Sequence, residues 1–123
     1  MSVYAIKTFS RWARREGVSA AALRAAVDEL TGGLVDARLG GGLVKKRVPM
    51  PGQGKRGAYR TIVAADFRGK WFFLYGFSKS ERDNIDDDEL KAFKRIAAAL
   101  LAMSSEALES AIEAGELKEI ENG

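Results

Sequence analysis

The sequence predicts an α+β protein with a small, largely antiparallel sheet, an N-terminal helical hairpin, a C-terminal helix and an additional C-terminal helical extension. Apolar residues recur at helical spacing in the first 34 residues and again after residue 85. Between them, runs rich in β-branched and aromatic residues alternate with glycine-rich breaks. Strands that follow one another, with helices before and after, are typical of this class, and we expect the helices on one face of the sheet.

The first third of the chain is expected to form an edge strand followed by two antiparallel helices. The apolar run 3–6 is the strand, and a helix follows from an N-cap at about Thr8 to Gly17, since glycine suits a C-terminal cap. Ser19 is the expected N-cap of a second helix, which Gly32-Gly33 ends. Its apolar stripe consists of Leu23, Val27, Leu30 and Leu34.

Three strands are expected in the middle of the chain. The glycines at 40–42 form a break, and residues 43–48 form the first strand. Residues 57–67 and 71–79 form a hairpin across the short turn 68–70. Alternation puts Trp71, Phe73, Tyr75 and Phe77 on one face of the last strand, with Phe72 and Leu74 on the other. Because both faces are apolar, this strand is expected to be central and covered.

Two helices are expected to complete the chain. Asp86 and Glu89 have the spacing of a capping box at the start of a long helix. Ser105 begins a last helix that ends at Gly115, and residues 116–123 are expected to be a polar tail. We therefore expect a core domain over residues 1–103 and an acidic helical extension over residues 104–123.

Composition excludes several kinds of chemistry. The 123 residues include no Cys and no His, which excludes a disulfide scaffold, thiol catalysis, zinc fingers and Ser-His or Cys-His nucleophiles. Acid–base chemistry must therefore use Lys, Arg, Tyr or carboxylates. The longest apolar run, 96–103, is too short to span a bilayer, and no signal peptide is visible at the start. A cytoplasmic protein with no membrane partner is expected.

Charge is distributed unevenly, and the basic half has a dense cluster. Residues 1–80 carry 15 basic and 5 acidic side chains, a net charge of +10, whereas residues 81–123 have a net charge of −7. Residues 45–60 hold six basic side chains and no acid. Period-two geometry puts Lys45 and Arg47 on one face of their strand and Lys46 on the other. The other candidates for phosphate contact are Arg60 on the next strand, Lys55 and Arg56 in the glycine-rich loop, and Lys79 and Arg82 after the third strand.

Alternative interpretations of these segments are weaker. The basic side chains could simply be solvated edge and loop charges. The loop 52–57 lacks the spacing of a Walker A motif and precedes a strand rather than a helix. The acidic run 83–89 does not fit a calcium-binding loop, and a helix N-terminus explains it more simply. No metal and no cofactor is therefore expected.

Two stretches carry a resemblance to a known family. Residues 54–63, which include Gly-Lys-Arg-Gly and Tyr-Arg, followed by residues 73–85, resemble the RelE/HigB toxins of bacterial type II toxin–antitoxin systems. The resemblance covers roughly residues 3–103 and implies the RelE/ParE-like fold. It also implies a metal-independent, ribosome-dependent mRNA endoribonuclease that inhibits translation. The implied partners are a cognate antitoxin of the helix-turn-helix kind, the ribosome and mRNA, with operator DNA bound only through the antitoxin complex.

The resemblance also implies residue roles. Attack of a ribose 2′-OH on the adjacent phosphate requires a base, an acid for the leaving 5′-oxygen and cations for the intermediate. Lys45 is the candidate base, because neighbouring cations favour its neutral form. Arg47 and Arg60 are candidates for stabilising the intermediate, and Lys79 or Arg82 for the acid. Lys46, Lys55 and Arg56 are expected to contact RNA.

The sequence departs from the family at two kinds of position. Residues 83–86 contain no Tyr, which some members have where the last helix opens, and the His pair of other members is absent. The alternatives on the same fold are a ParE-like toxin that binds DNA gyrase and a non-catalytic module that binds RNA or the ribosome. Residues 104–123 are expected to pack on the sheet edge or to engage the antitoxin.

Overall fold

A computed structural model describes residues 2–52, 57–67 and 69–121. Within these ranges the chain forms four helices and six strands. They are β1 (Ser2–Ile6), α1 (Lys7–Glu16), α2 (Ala20–Thr31), β2 (Ala37–Gly40), β3 (Leu43–Pro49), β4 (Ala58–Ala65), β5 (Lys70–Ser78), α3 (Asp87–Leu101), α4 (Ser105–Glu113) and β6 (Leu117–Glu119).

The six strands form one mixed sheet in the order β2-β3-β4-β5-β1-β6. Its pairs are antiparallel except for β1 with β5, which confirms the α+β class. The central position predicted for β5 is also confirmed. The predicted edge position of residues 3–6 is wrong, because β6 pairs with the other side of β1. Residues 117–119 are thus a strand rather than a polar tail, and residues 37–40 form a strand that the sequence did not indicate.

Helices cover both faces of the sheet, which corrects the expectation of helices on one face. The first core lies between the sheet and α1 and α2, and contains Phe9, Val27, Val63 and Trp71. The second lies between the opposite face and α3 and α4, and contains Ile62, Phe72, Leu100 and Leu108. The apolar residues on both faces of β4 and β5 are what allow two helical layers to bind one sheet.

Local sequence signals fixed most helix ends. Gly17 ends α1 at φ 75°, Ser19 caps α2 through the amide of Ala22, and Asp86 with Glu89 forms the predicted capping box. The predicted N-cap Thr8 instead lies inside α1, which follows directly from β1 at Ile6. Leu34 lies beyond the end of α2 and is 63% exposed, so it does not continue the buried stripe.

A β-bulge in β5 changes which face its aromatic residues occupy. Ile62 pairs with Tyr75 while the next residue, Val63, pairs with Phe73, so Leu74 is the extra residue. Trp71 and Phe73 therefore face α1 and α2, but Tyr75 turns to the α3 face, where its ring lies 5.5 Å from that of Phe93. The prediction that all four odd-numbered aromatic residues share one face is wrong for this reason.

Candidate functional site

The basic cluster lies on the face of the sheet that α3 covers, where Arg47 is exposed and Lys45 and Arg60 are half-buried. Lys45 pairs with Ile62, whose side chain belongs to the α3 core, so Lys45 and Arg47 point to that face. Arg60 lies two residues before Ile62 in β4, so its side chain points to the same face. We call the surface formed by Lys45, Arg47 and Arg60 the basic face. The structure thus brings together side chains from two neighbouring strands, as the period-two pattern predicts.

Arg47 and Arg60 occupy directly opposite positions of the antiparallel pair β3–β4. Opposed side chains in such a pair have Cβ atoms about 5 Å apart, and like charges placed there destabilise a sheet. In the described ranges no carboxylate forms an ion pair with either guanidinium, and Arg60 only donates weakly from Nη1 to the Ala58 carbonyl at 3.5 Å. An anion bound between them would relieve the repulsion.

On the side of β3 away from β4, the Arg47 amide is held by a carboxylate rather than by another strand. The register of β2 with β3 starts at Ala37 and Lys45, so the amide of Arg47 lies beyond it. Instead, that amide donates to the side chain of Asp36 at 2.6 Å. Asp36 therefore fixes the strand that carries Arg47, while the exposed Arg47 guanidinium itself makes no hydrogen bond to another described residue.

Arg82 reaches the same face from the loop after β5, but it is tied to α3. Its guanidinium forms a two-pronged ion pair with Glu89, with one prong at 2.9 Å, and donates to the Tyr75 hydroxyl at 3.2 Å and the Asn84 carbonyl at 3.0 Å. Hydrogen bonding to Glu89, and then to Tyr75, raises the pKa of Arg82 above its ordinary value. The same bond lowers the pKa of Glu89. Arg82 is therefore an oriented cation that holds its proton tightly.

The other predicted site residues lie elsewhere. Lys79 is exposed directly after the end of β5. Lys46 points to the opposite face, where only 5% of it is exposed and its ammonium contacts Glu29 at 2.9 Å and the Leu34 carbonyl at 3.1 Å. The expectation that Lys46 contacts RNA does not fit this placement, because its charge is already paired inside the fold. Lys55 and Arg56 lie outside the described residues.

Two aromatic side chains beside the basic face belong to the run 71–77, which by sequence is favoured as core over a surface for stacking bases. Phe77 pairs with Arg60 across β4–β5, and its ring lies 5.8 Å from that of Tyr75. The Arg82 guanidinium lies 5.8 Å from the Tyr75 ring centre and 5.9 Å from that of Phe77. The sequence signal was Gly76 between them: a Cβ there would lie 2.3 Å from the Trp12 ring, so only glycine allows Trp12 to pack against the strand.

Cavities larger than the one at this site lie away from it. Three of 530 to 590 Å³ lie beside α1, α2 and the C-terminal strand, and their walls contain none of the predicted site residues. A smaller pocket of about 260 Å³ does adjoin the basic face, and its walls include Tyr75, Phe77 and Arg82. Of these four cavities, the smaller pocket is the one whose described walls include a predicted site residue, Arg82.

A comparison with protein families decides which fold family this is. The family model described as RelE toxin of RelE / RelB toxin-antitoxin system matches residues 1–120. The chain belongs to the RelE toxin family. It is therefore a toxin of a toxin–antitoxin system, and membership implies a cognate antitoxin as its partner. A comparison with curated proteins finds no match.

Two further findings describe this RelE toxin. The family match extends past residue 103, and so includes α4 and β6. In the described ranges, no helix combines the length and apolar character needed to cross a membrane.

Proposed function

We propose that this RelE toxin is a metal-independent, ribosome-dependent mRNA endoribonuclease that inhibits translation and is neutralised by its cognate antitoxin. The observation that carries this proposal is the opposed pair Arg47 and Arg60, beside Lys45, on the α3 face of the sheet. Two guanidinium groups in this arrangement can bind both non-bridging oxygens of one phosphate. Family membership supports an RNA substrate, since the family generally consists of ribonuclease toxins.

The proposed reaction is an internal transfer within the RNA. Lys45 acts as the base that accepts the proton of the ribose 2′-hydroxyl, and the 2′-oxygen forms a bond to phosphorus. Arg47 and Arg60 stabilise the charge of the pentavalent intermediate, where electrostatic contacts are worth most. The bond from phosphorus to the 5′-oxygen then breaks, and that oxygen takes a proton. The products are a 2′,3′-cyclic phosphate and a free 5′-hydroxyl.

Of the two candidate acids, Lys79 suits proton donation better than Arg82. The raised pKa of Arg82, caused first by its hydrogen bonds to Glu89, makes loss of its proton costly. We assign Arg82 the role of a fixed cation that orients Tyr75 and contributes positive potential. Lys79 is exposed at the end of β5, where a flexible ammonium group can reach a leaving oxygen.

The site test compares cleavage on programmed ribosomes. Arg60→Ala and Lys45→Ala should each lower the rate of mRNA cleavage about a hundredfold or more, as loss of one transition-state contact typically does. Arg95→Ala, which removes an exposed cation from α3, is the matched control and should cleave like the wild type. Mapping mRNA 5′ ends after induced expression gives the corresponding result in cells.

Two outcomes would replace the proposal. Inhibition of supercoiling without any mRNA cleavage would identify a ParE-like gyrase-binding toxin. Ribosome or RNA binding with no cleavage by the wild type would identify a non-catalytic module. The antitoxin proposal is tested separately by co-expression with the neighbouring reading frame, which should restore growth and bind operator DNA only as the complex.

A further inference from the structure

The pocket beside the basic face exists because β1 is shorter than β5. The pairing of β1 with β5 stops at Ala5 and Phe73, where the chain turns into α1. Residues 74–78 of β5 therefore have no strand on that side, within the part of the chain that the structure describes. The pocket of about 260 Å³ occupies this gap, between α1 and the free edge of β5.

The walls of the pocket combine aromatic rings with cations. Trp12 of α1 lies on one side and Tyr75 of β5 on the other, both half-buried, whereas Phe77 also lines the pocket but is only 2% exposed. Arg15 and Arg82 add two guanidinium groups. The free edge of β5 supplies unpaired backbone N–H and C=O groups before Ser78, whose own amide donates to Glu81 and whose carbonyl accepts from the amides of Glu81 and Arg82. Flat rings, cations and backbone hydrogen-bonding groups are the features by which proteins bind unstacked RNA bases.

Other ligand classes fit these walls less well. A phosphate group alone would not use the aromatic rings, and the carboxylate of Glu81 in the wall would repel it. An apolar side chain of a protein partner would leave the Arg15 guanidinium and the free strand edge without hydrogen bonds, whereas Arg82 is already bonded to Glu89, Tyr75 and Asn84. The volume lies just below the range of about 300 to 1,000 Å³ that drug-sized ligands occupy, which suits a group the size of one base.

The pocket is also continuous with the basic face. Phe77 pairs with Arg60 and Tyr75 pairs with Ile62 in the sheet, so both pocket rings are direct neighbours of the β4 row that carries Arg60. The Arg47–Arg60 pair and the free edge of β5 are about two strand spacings apart, roughly 10 Å, which an extended RNA strand spans between one phosphate and a neighbouring base. One RNA strand can therefore place a phosphate between Arg47 and Arg60 and an adjacent base in the pocket.

We propose that the pocket between α1 and the free edge of β5 binds a nucleobase of the RNA strand whose phosphates occupy the basic face. This inference rests on the proposed function, and it adds the element that positions and selects a nucleotide next to the cleaved bond. Stacking on the rings tolerates any base, whereas the β5 edge and Glu81 hydrogen-bond some bases better than others.

Fluorescence of Trp12 tests the pocket without using cleavage. Of the two tryptophans, Trp71 is fully buried in the α1–α2 core and Trp12 lines the pocket. At low ionic strength an RNA trinucleotide should quench Trp12, while an abasic ribose-phosphate of equal length should not. Trp12→Phe should abolish the quenching and leave the Trp71 signal. Equal quenching by the abasic probe, or none by the trinucleotide, would overturn the inference.

A pair of arginine variants on α1 separates the pocket from general electrostatic attraction. Arg15 lines the pocket, whereas Arg11 is an exposed arginine of the same helix outside it. Arg15→Ala should weaken trinucleotide binding about tenfold, as loss of one stacking or charge contact with a base does, and Arg11→Ala should change it much less. Equal losses would overturn the inference.

If the trinucleotide quenches Trp12 but wild-type toxin never cleaves mRNA, the proposed function fails and the pocket remains. If the wild-type toxin cleaves mRNA but the trinucleotide does not quench Trp12 more than the abasic probe does, the proposed function stands and the pocket inference fails.

Discussion

Neighbouring cations on β3 have opposite fates because side chains alternate across a strand. Lys45 and Arg47 extend to the α3 face, whereas Lys46 between them is buried against α2. The sequence predicts this separation, since it needs only the period of a strand. It does not predict the partner of Lys46, because Glu29 comes from a helix 17 positions earlier and depends on how α2 packs.

This placement predicts that Lys46 contributes to stability rather than to RNA binding. Lys46→Met keeps the apolar stem packed and leaves Glu29, whose side chain is 52% exposed, to water. Its thermal stability should equal or exceed that of the wild type, because replacing a buried charge by an apolar group of similar size is often neutral or favourable. Lys46→Ala should lose about 1–3 kcal/mol through the cavity it leaves. Both variants should cleave mRNA normally; a stable but inactive Lys46→Met variant would contradict this.

At the scale of elements, the sequence predicts those whose signals come from neighbouring residues. It does not predict those that form only through pairing with a distant part of the chain. The capping box at Asp86 and the glycine end of α1 were predicted, because the capping residues are only three or four positions from their partners. The short strand β6 was not, since three residues form a strand only when β1 offers a free edge. The bulge at Leu74 was hidden for a similar reason: alternation continues through it in the sequence, and only pairing with β4 shows the extra residue.

At the same scale, the ion pair between the β5–α3 loop and α3 predicts a pH dependence. Hydrogen bonding to Arg82 lowers the pKa of Glu89 from its ordinary value of about 4.5. The ionised carboxylate therefore stabilises the fold at pH values above about 4.5, and this stabilisation is lost as the pH falls through the lowered pKa. Glu89→Gln preserves the capping box, for which Gln also serves, but removes the charge. Its melting temperature should be lower than that of the wild type at pH 7, and the difference should shrink below pH about 4.5.

The control for this variant is Asp88→Asn, which removes an exposed carboxylate from the same helical turn without an arginine partner. Its melting temperature at pH 7 should fall less than that of Glu89→Gln. A Glu89→Gln deficit that stays constant from pH 7 to pH 3 would show that the Arg82 pair does not stabilise α3.

At the scale of the whole molecule, the C-terminal segment completes the sheet. The expectation that residues 104–123 pack on the sheet edge is confirmed by β6, and Leu117 and Ile120 are 4% and 6% exposed. The amide of Ile120 donates to the Val3 carbonyl, and the Glu116 carbonyl accepts from the amide of Lys7. Even-numbered residues of β6 therefore direct their backbone groups to β1, and odd-numbered ones direct them outward. A role of this segment in antitoxin binding remains a proposal.

This alternation supplies a matched pair of proline variants. Lys118→Pro removes an amide that faces β1, whereas Glu119→Pro removes one that faces outward; both side chains are exposed. Lys118→Pro should lower the melting temperature and the soluble yield, because the β1 edge is uncovered and unpaired edges promote aggregation. Glu119→Pro should do so much less. Similar losses for the two variants would mean that β6 does not depend on its pairing with β1.

The uneven charge of the molecule makes a final prediction about RNA binding. The net charge of +10 over residues 1–80 attracts a polyanion, but only cations that contact phosphates release counterions and set the salt dependence. Because Arg47 and Arg60 are proposed to hold one phosphate, the slope of log association constant against log salt should fall in magnitude by about 0.7 for the Arg47→Ala/Arg60→Ala double variant, the value for one single-strand phosphate contact, and by part of that for each single variant. Arg95→Ala should weaken binding slightly with no change of slope, because an exposed cation on α3 adds attraction without contact. A slope change shared equally by Arg95→Ala and Arg47→Ala would mean that RNA binds by general attraction, and that the opposed arginines of β3 and β4 do not hold a phosphate.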